Sequence, residues 1–242
     1  MSGFATVVFD CDMTLVGVEG IDVLAEVAGA DAERIAALTR AAMHGTLPLE
    51  AVYGKRLAEI RPGKREVAEL AQRYRAALAP DAGETVAALR ELDKTVRVIS
   101  GGLRPPVEAL AAELGIAADE VAAVGITFAA DGSYADFERG SPLARAGGKA
   151  EILREWQLPR PALLVGDGRT DAEAADAVDA FAAYMGFAYR AAVAAAADVV
   201  LSDASLAPVL ALAADEQDRR ELEGSRWAEL LARGDRLLKV SA

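Results

Sequence analysis

Cysteines, aromatic residues and blocks of positive charge are all scarce in this sequence of 242 residues. The single cysteine, Cys11, excludes an intrachain disulfide and is typical of a protein from a reducing compartment. Aromatic residues make up 5% of the chain and hydrophobic residues 53%, so the core must be built mainly from Ala, Leu and Val. A core from a chain of this length needs no cross-links to be stable.

The charge balance argues against two classes of partner. The net charge is −12, from 26 basic and 38 acidic residues, and no Lys/Arg-rich block interrupts the sequence. Because nucleic acids and anionic membranes attract proteins through clustered cations, we expect neither as a partner. A small anion can still bind at a local site whose electrostatic potential is positive despite the negative net charge.

Long apolar runs are also missing. The first ten residues have no basic segment followed by an apolar one, so they do not resemble a signal peptide. The Ala-rich run 191–201 is too short to span a bilayer and contains Asp198. We therefore expect a soluble, cytoplasmic protein that is a monomer or a homodimer.

Apolar segments alternate with amphipathic ones, which predicts an α/β fold with a parallel sheet covered on both faces. The pattern of residues 16–80 predicts an all-helical insert after the first strand. We therefore expect a catalytic core of residues 1–15 and 81–242 and a small helical cap of residues 16–80. A hairpin is predicted around Asp131-Gly132. The predicted strands are Ala5–Phe9, Val96–Ile99, Ala162–Val165, Ala180–Tyr184 and Asp198–Leu201.

Two carboxylates follow the first predicted strand. Side chains alternate along a strand, so Asp10 and Asp12 would share a face while Cys11 points away. Charge at the end of a buried strand needs a cation or hydrogen bonds. The carboxyl ends of parallel strands are where α/β sheets bind ligands, and paired carboxylates suit a hard cation such as Mg²⁺.

Three further segments carry groups suited to a phosphate. Ser100-Gly101-Gly102 offers a hydroxyl and backbone N–H groups just before a predicted helix, a geometry that binds anions. Lys149 follows two glycines at the start of another helix, and the Gly-rich turn 166–171 holds Asp167 and Asp171. Each segment alone also fits an ordinary turn or a solvated lysine. Their combination, each at the edge of an α/β element, predicts a phosphate site.

These motifs resemble those of the haloacid dehalogenase-like superfamily of phosphotransferases. The four motifs of that superfamily match Asp10–Thr14, Ser100, Lys149 and Gly166–Asp171 in this chain. Within it the chain is most similar to the phosphoserine phosphatase family, through FDCDMTLVGVEGIDVLAEVAG, AAMHGTLPLEAVYGKRL, VISGGLRPPVEALAAELGI, GGKAEILREW and LLVGDGRTDAEA. The resemblance implies a Rossmann-like core with a cap inserted after the first strand.

The resemblance also implies a mechanism and a cofactor. Asp10 would be the nucleophile that forms an aspartyl-phosphate, and Asp12 would act first as general acid and then as general base. Mg²⁺ would be held by Asp10, the backbone carbonyl of Asp12 and Asp167, with Asp171 in support. The phosphoryl oxygens would be bound by Ser100, Gly101 and Lys149.

The same resemblance implies hydrolysis of O-phospho-L-serine. Glu19 would meet the substrate ammonium and Arg56 its carboxylate, Met43 and Leu49 would line the apolar wall, and Thr170 would assist. Three alternatives stay open. Glu19 and Arg56 can be a surface ion pair, the substrate can be another small phosphate monoester that is hydrolysed or transferred, and a protein with these motifs can bind phosphoserine without turnover.

Overall fold

The computed structural model describes residues 3–43 and 46–241, and its centre is a parallel sheet. Six of the described strands form this sheet, in the order β3-β2-β1-β6-β7-β8, and a separate antiparallel hairpin pairs β4 with β5. The predictions of a parallel α/β sheet and of the hairpin are confirmed. The strands are β1 (Thr6–Phe9), β2 (Thr95–Leu103), β3 (Val121–Val124), β4 (Ile126–Phe128), β5 (Tyr134–Phe137), β6 (Ala162–Gly166), β7 (Ala180–Tyr184) and β8 (Val199–Leu201).

Helices cover the sheet and fill the long connection after β1. The helices are α1 (Gly20–Val27), α2 (Ala32–Met43), α3 (Leu49–Ile60), α4 (Lys64–Ala76), α5 (Ala82–Glu91), α6 (Arg104–Glu113), α7 (Gly148–Glu155), α8 (Arg169–Ala172), α9 (Ala191–Ala194), α10 (Ala207–Ala213), α11 (Glu216–Glu223) and α12 (Ala228–Ser241). Of the helices that the structure describes, none combines the length and apolar character needed to cross a bilayer.

Strand β1 lies in the middle of the sheet with β2 on one side and β6 on the other. All four of its residues are buried, as expected for a strand that packs against helices on both faces. The chain leaves β1 towards β2, and β6 lies on the opposite side, so the connections diverge at the carboxyl end of β1. In α/β sheets such a switch point opens a crevice that binds ligands.

Helices α1 to α4, here called the cap helices, occupy the connection between β1 and α5. Their apolar faces contribute Leu24, Leu57, Leu70 and Tyr74 to the same hydrophobic cluster that contains the sheet. The helical content predicted for this span is therefore present. We propose that the cap helices form a cap on a core of residues 1–15 and 81–242, as the sequence predicts.

Strand β2 is longer than predicted. The sequence predicts a strand that ends at Ile99, but β2 continues to Leu103, and α6 begins at Arg104. The pairing of β2 with β3 changes register between Ile99 and Leu103, which marks an irregularity in the ladder. The predicted strand end was wrong because glycines, which favour turns, also fit a distorted strand end.

The C-terminal helices pack on the sheet domain. Asp215 caps α11 by accepting hydrogen bonds from the backbone N–H groups of Gln217 and Asp218, both at 2.8 Å. Trp227, Leu230 and Leu231 are buried in the hydrophobic core. The C-terminal segment therefore packs against the rest of this chain.

Candidate active site

The register of two neighbouring strands brings the first and fourth motifs together. Phe9 of β1 is paired with Val165 of β6, and the backbone N–H of Asp10 donates to the Val165 carbonyl at 2.9 Å. Asp10 therefore follows β1 level with Gly166, the residue immediately before Asp167. The two carboxylates meet at the carboxyl edge of the sheet, as the sequence predicts.

Three buried carboxylates form a cluster at this edge. Oxygens of Asp10, Asp167 and Asp171 all lie within 4.8 Å of one another. Asp171 is reached because Gly166 has no side chain, since a Cβ there would lie 2.3 Å from the Asp171 Cγ. A compact set of carboxylate oxygens fits a hard divalent cation by the chemistry of its donors. The cluster can thus hold a metal ion.

Lys149, which starts α7, neutralises two members of this carboxylate cluster. Its Nζ lies 2.8 Å from Oδ1 of Asp10 and 2.7 Å from Oδ1 of Asp171. Burial lowers the pKa of Lys149, but the charges of Asp10 and Asp171 outweigh burial and hold that pKa above its ordinary value. Burial and the nearby Asp10 raise the pKa of Asp171 to about 7. Lys149 is therefore a permanent buried cation rather than a solvated one.

Asp12 is held apart from this cluster by its own hydrogen bonds. Its Oδ2 accepts from the backbone N–H of Gly20 at 2.9 Å, and its Oδ1 accepts from the hydroxyl of Tyr74 on α4. Burial raises the pKa of Asp12 to about 6, although both hydrogen bonds oppose the shift. A carboxyl group in this range can both donate and accept a proton near neutral pH. Cys11 points away and packs in the core.

A cavity of about 380 Å³ opens between the sheet edge and the cap helices. Ser100 contributes a buried hydroxyl whose Oγ accepts from the Gly102 N–H at 2.9 Å. Gly101 lies beside it, and its carbonyl accepts a hydrogen bond from the Tyr53 hydroxyl at 2.8 Å. The residues named from the sequence that line this cavity are Asp10, Asp12, Glu19, Arg56, Ser100, Gly101, Lys149, Asp167 and Thr170.

The cap side of this cavity carries one acidic and one basic side chain. Glu19 precedes α1, and burial followed by the charge of Asp12 raises its pKa to about 8. Arg56 on α3 is buried, and its Nη1 donates to the Thr39 hydroxyl at 3.1 Å. Within the described part of the chain, the Arg56 Nε has no hydrogen-bond partner. A surface ion pair does not describe this arrangement, because Arg56 contacts Thr39 and lines the cavity.

Two predicted wall residues lie outside what the structure describes at the side-chain level. Met43 ends α2 and Leu49 begins α3, so the helices carry them to the segment that joins these two elements. Their side chains are not among those described. Their predicted contribution to an apolar wall stays a prediction.

Two residues at the site were missed by the sequence interpretation. Tyr74 reaches Asp12 from α4, and nothing in a single amphipathic helix indicates which of its residues meets the sheet edge. Arg190 contacts the Asp167 carboxylate through Nη1 and lies 3.5 Å from Oε1 of Glu19 through Nη2. Arg190 could have been identified from the sequence, because it follows the predicted strand β7 and so lies at the same sheet edge as Asp10 and Asp167.

Comparison with known proteins identifies the family. The family model described as haloacid dehalogenase-like hydrolase matches residues 7–176. Phosphoserine phosphatase of Homo sapiens is 37% identical over 187 residues, which cover 76% of this chain and 83% of the relative.

Two solved structures match at 26% identity and a TM-score of 0.74, each over 87% of this chain. One is a substrate-bound phosphoserine phosphatase complex, matched over 97% of its length. The other is a phospho-aspartyl intermediate analogue of phosphoserine phosphatase, matched over 98%. With its parallel sheet and the carboxylate cluster at the sheet edge, this chain belongs to the haloacid dehalogenase-like hydrolases and is a phosphoric monoester hydrolase related to the phosphoserine phosphatases.

Proposed function

We propose that this protein hydrolyses O-phospho-L-serine to L-serine and phosphate with Mg²⁺ as cofactor and an aspartyl-phosphate intermediate on Asp10. One observation carries the proposal. A single cavity is lined by Asp10, Asp167 and Lys149 at its sheet end and by the acidic Glu19 and the basic Arg56 at its cap end. Phosphoserine has a phosphate at one end and an ammonium and a carboxylate at the other.

At the sheet end, Asp10 is the nucleophile. One of its oxygens attacks phosphorus in line with the serine oxygen, and the bond from phosphorus to that oxygen breaks. Lys149 contacts Asp10 directly, so its ammonium is close enough to bind a phosphoryl oxygen as well. Ser100 and Gly101 bind the remaining oxygens at the end of β2. Phosphoryl transfer depends mostly on such positioning and charge compensation.

Mg²⁺ fits the donors of the carboxylate cluster. Asp10 and Asp167 hold it together with the backbone carbonyl of Asp12, and Asp171 supports them. When bound, the metal supplies charge neutralisation, which removes the repulsion between an anionic nucleophile and a phosphate dianion. The fit rests on three carboxylate oxygens within 4.8 Å, the kind of donor that Mg²⁺ prefers.

Asp12 carries protons in both half-reactions. As a general acid it donates to the serine oxygen while the ester bond breaks, and as a general base it takes a proton from the water that attacks the aspartyl-phosphate. The pKa of about 6 supports both roles, because the two protonation states are accessible near neutral pH. Asp10 cannot serve here, since it carries the phosphoryl group.

At the cap end, Arg56 binds the substrate carboxylate and Glu19 binds the ammonium. A guanidinium can donate two parallel hydrogen bonds to a carboxylate, and Arg56 has an Nε without a partner within the described residues. A substrate ammonium would favour ionised Glu19 and so lower its raised pKa. Thr170 and the wall residues Met43 and Leu49 complete the pocket.

The relatives support this proposal. The curated relative from Homo sapiens is named for phosphoserine hydrolysis. The solved structures include a substrate-bound complex and an analogue of a phospho-aspartyl intermediate. We also propose that the reaction is a step of serine biosynthesis and takes place in the cytoplasm. The single cysteine, which is buried and forms no disulfide, is consistent with a reducing compartment.

A substrate panel tests the proposal. Purified protein is assayed with O-phospho-L-serine, O-phosphoethanolamine and glucose 6-phosphate, in Mg²⁺ and after metal removal by EDTA. We expect phosphoserine to have the highest kcat/KM by at least about tenfold, activity to vanish in EDTA, and Mg²⁺ to restore it. Preferred turnover of a sugar phosphate would instead favour a phosphatase for another small monoester, and binding without phosphate release would favour a non-catalytic phosphoserine binder.

A further inference from the structure

Tyr74 is a buried cap residue whose hydroxyl ends at the carboxyl group of Asp12. Its side chain is fully buried, and the hydroxyl donates to Oδ1 of Asp12. Gly20 leaves room for the hydroxyl, since a Cβ there would lie 2.1 Å from the hydroxyl oxygen, and Gly102 on β2 borders it, where a Cβ would be in ordinary contact at 3.4 Å. The space at the hydroxyl is thus formed by both the cap helices and β2.

The other oxygen of Asp12 fixes where an acidic proton can reside. Oδ2 accepts from the backbone N–H of Gly20 at 2.9 Å. A backbone N–H can only donate, and the unprotonated oxygen of a carboxyl group is the better acceptor, so this bond favours a proton on Oδ1 over one on Oδ2. Oδ1 is also the oxygen that the Tyr74 hydroxyl contacts, and a hydroxyl can accept as well as donate.

We propose that Tyr74 is a positioning residue that holds Oδ1 of Asp12 for proton donation to the leaving group. The proposal deepens the proposed function and rests on it. In this step Asp10 forms a bond to phosphorus, the bond from phosphorus to the serine oxygen breaks, and its electron pair stays on that oxygen. The proton moves from Oδ1 to the serine oxygen, and the carboxylate left behind accepts the Tyr74 hydrogen bond.

The Tyr74 hydroxyl acts on Asp12 through the hydrogen bond that it donates to Oδ1. It stabilises the carboxylate that proton transfer creates, and it restrains rotation of the Asp12 side chain.

A change of leaving atom separates this role from a structural one. S-phospho-L-cysteine keeps the ammonium, carboxylate and phosphate of phosphoserine, but its thiol has a pKa of about 8.5 and leaves readily as a thiolate. Proton donation therefore matters much less for it. The ratio kcat/KM reports the steps up to formation of the phosphoenzyme, so the later role of Asp12 as a base does not enter.

We expect Tyr74→Phe to lower kcat/KM for O-phospho-L-serine by about tenfold or more, the effect of one hydrogen bond to a charged group. For S-phospho-L-cysteine we expect a change of less than about threefold, since only the proton donor has been disturbed. Phenylalanine keeps the ring in place, so packing is retained. Circular dichroism and thermal unfolding check the fold of the variant.

Tyr184→Phe is the matched control. Tyr184 is also fully buried, and its hydroxyl donates to the Ala204 carbonyl at 2.5 Å, but it does not line the cavity. We expect this variant to lose stability similar to that lost by Tyr74→Phe without changing the ratio of the two substrates.

The proposal would be overturned, with the proposed function left intact, if Tyr74→Phe lowered kcat/KM equally for both substrates or did not lower it for phosphoserine. Absence of phosphoserine turnover by the wild-type protein would overturn both. If Tyr74→Phe does not fold, Tyr74→Met carries the same test, because it also removes the hydroxyl and its flexible apolar side chain adapts to the space that the ring leaves. Selective loss on phosphoserine supports the proposal there as well, and an equal loss or none overturns it.

Discussion

The ammonium of Lys149 lies 2.8 Å from the carboxylate of Asp10 and is buried with it at the end of β1. The same ammonium lies 2.7 Å from Asp171, so one cation serves two buried carboxylates. Removing one partner of a buried ion pair leaves an uncompensated charge, which costs more than the pair contributes. We therefore expect Lys149 to stabilise the metal-free fold, and we propose that it also binds a phosphoryl oxygen.

We predict that Lys149→Met lowers the free energy of unfolding by about 3 kcal/mol in metal-free buffer and lowers kcat by at least about 100-fold. Mg²⁺ should recover part of the stability, since it supplies positive charge to the same carboxylates. Urea unfolding with and without Mg²⁺ measures the first effect and phosphate release the second.

Lys94→Met is the control, because Lys94 is paired with Asp218 at 2.6 Å and does not line the cavity. It should leave kcat unchanged, and Mg²⁺ should not rescue any stability that it loses. If Lys149→Met kept wild-type activity, Lys149 would have no part in phosphoryl binding.

Arg56 is predicted to select for the substrate carboxylate. Arg56→Ala should lower kcat/KM for phosphoserine by about 100-fold, as expected for loss of a charge-assisted bidentate interaction. O-phosphoethanolamine has no carboxylate, so its low kcat/KM should change by less than about threefold. Steady-state kinetics on both substrates measures the difference.

Arg75→Ala provides the comparison for Arg56, because Arg75 on α4 forms an exposed ion pair with Glu113 on α6 and does not line the cavity. Exposed ion pairs contribute little to stability, so kcat/KM should be unchanged for both substrates. An equal loss on both substrates in Arg56→Ala would mean that Arg56 supports the fold of the cap rather than recognition.

Glu19 should make stability depend on pH in the metal-free protein. Its pKa is raised from 4.5 to about 8, so between these values the folded state binds more protons than the unfolded state. The contribution of Glu19 to the free energy of unfolding is then largest below about pH 4.5 and falls as pH rises towards 8. Glu19→Gln cannot ionise and should lack this component.

Urea unfolding of the wild type and of Glu19→Gln in EDTA from pH 5 to 9 measures this component. The two proteins should have similar stability at pH 5, and the variant should be more stable by about 1 kcal/mol or more at pH 9. If the free energies of unfolding of the two proteins changed with pH in the same way, Glu19 would not be held in its neutral form by burial.

The sequence was sufficient for the parallel sheet and for the convergence of Asp10, Lys149 and Asp167, because parallel strands present their carboxyl ends at one edge. It was insufficient for Tyr74 and for the extension of β2 through Ser100. The first depends on which face of α4 meets the sheet edge. The second depends on a distorted ladder that turn-forming glycines do not distinguish from a loop. These features arise from packing between distant segments, which local patterns do not encode.

Rapid quenching with ³²P-labelled O-phospho-L-serine shows whether Asp10 is phosphorylated during turnover. Quenched enzyme is digested, and the labelled peptide is identified by mass spectrometry. We expect hydroxylamine-sensitive label on Asp10 and none in Asp10→Asn, which should still bind substrate. Label on another residue, or phosphate release by Asp10→Asn at more than about 1% of the wild-type rate, would contradict it.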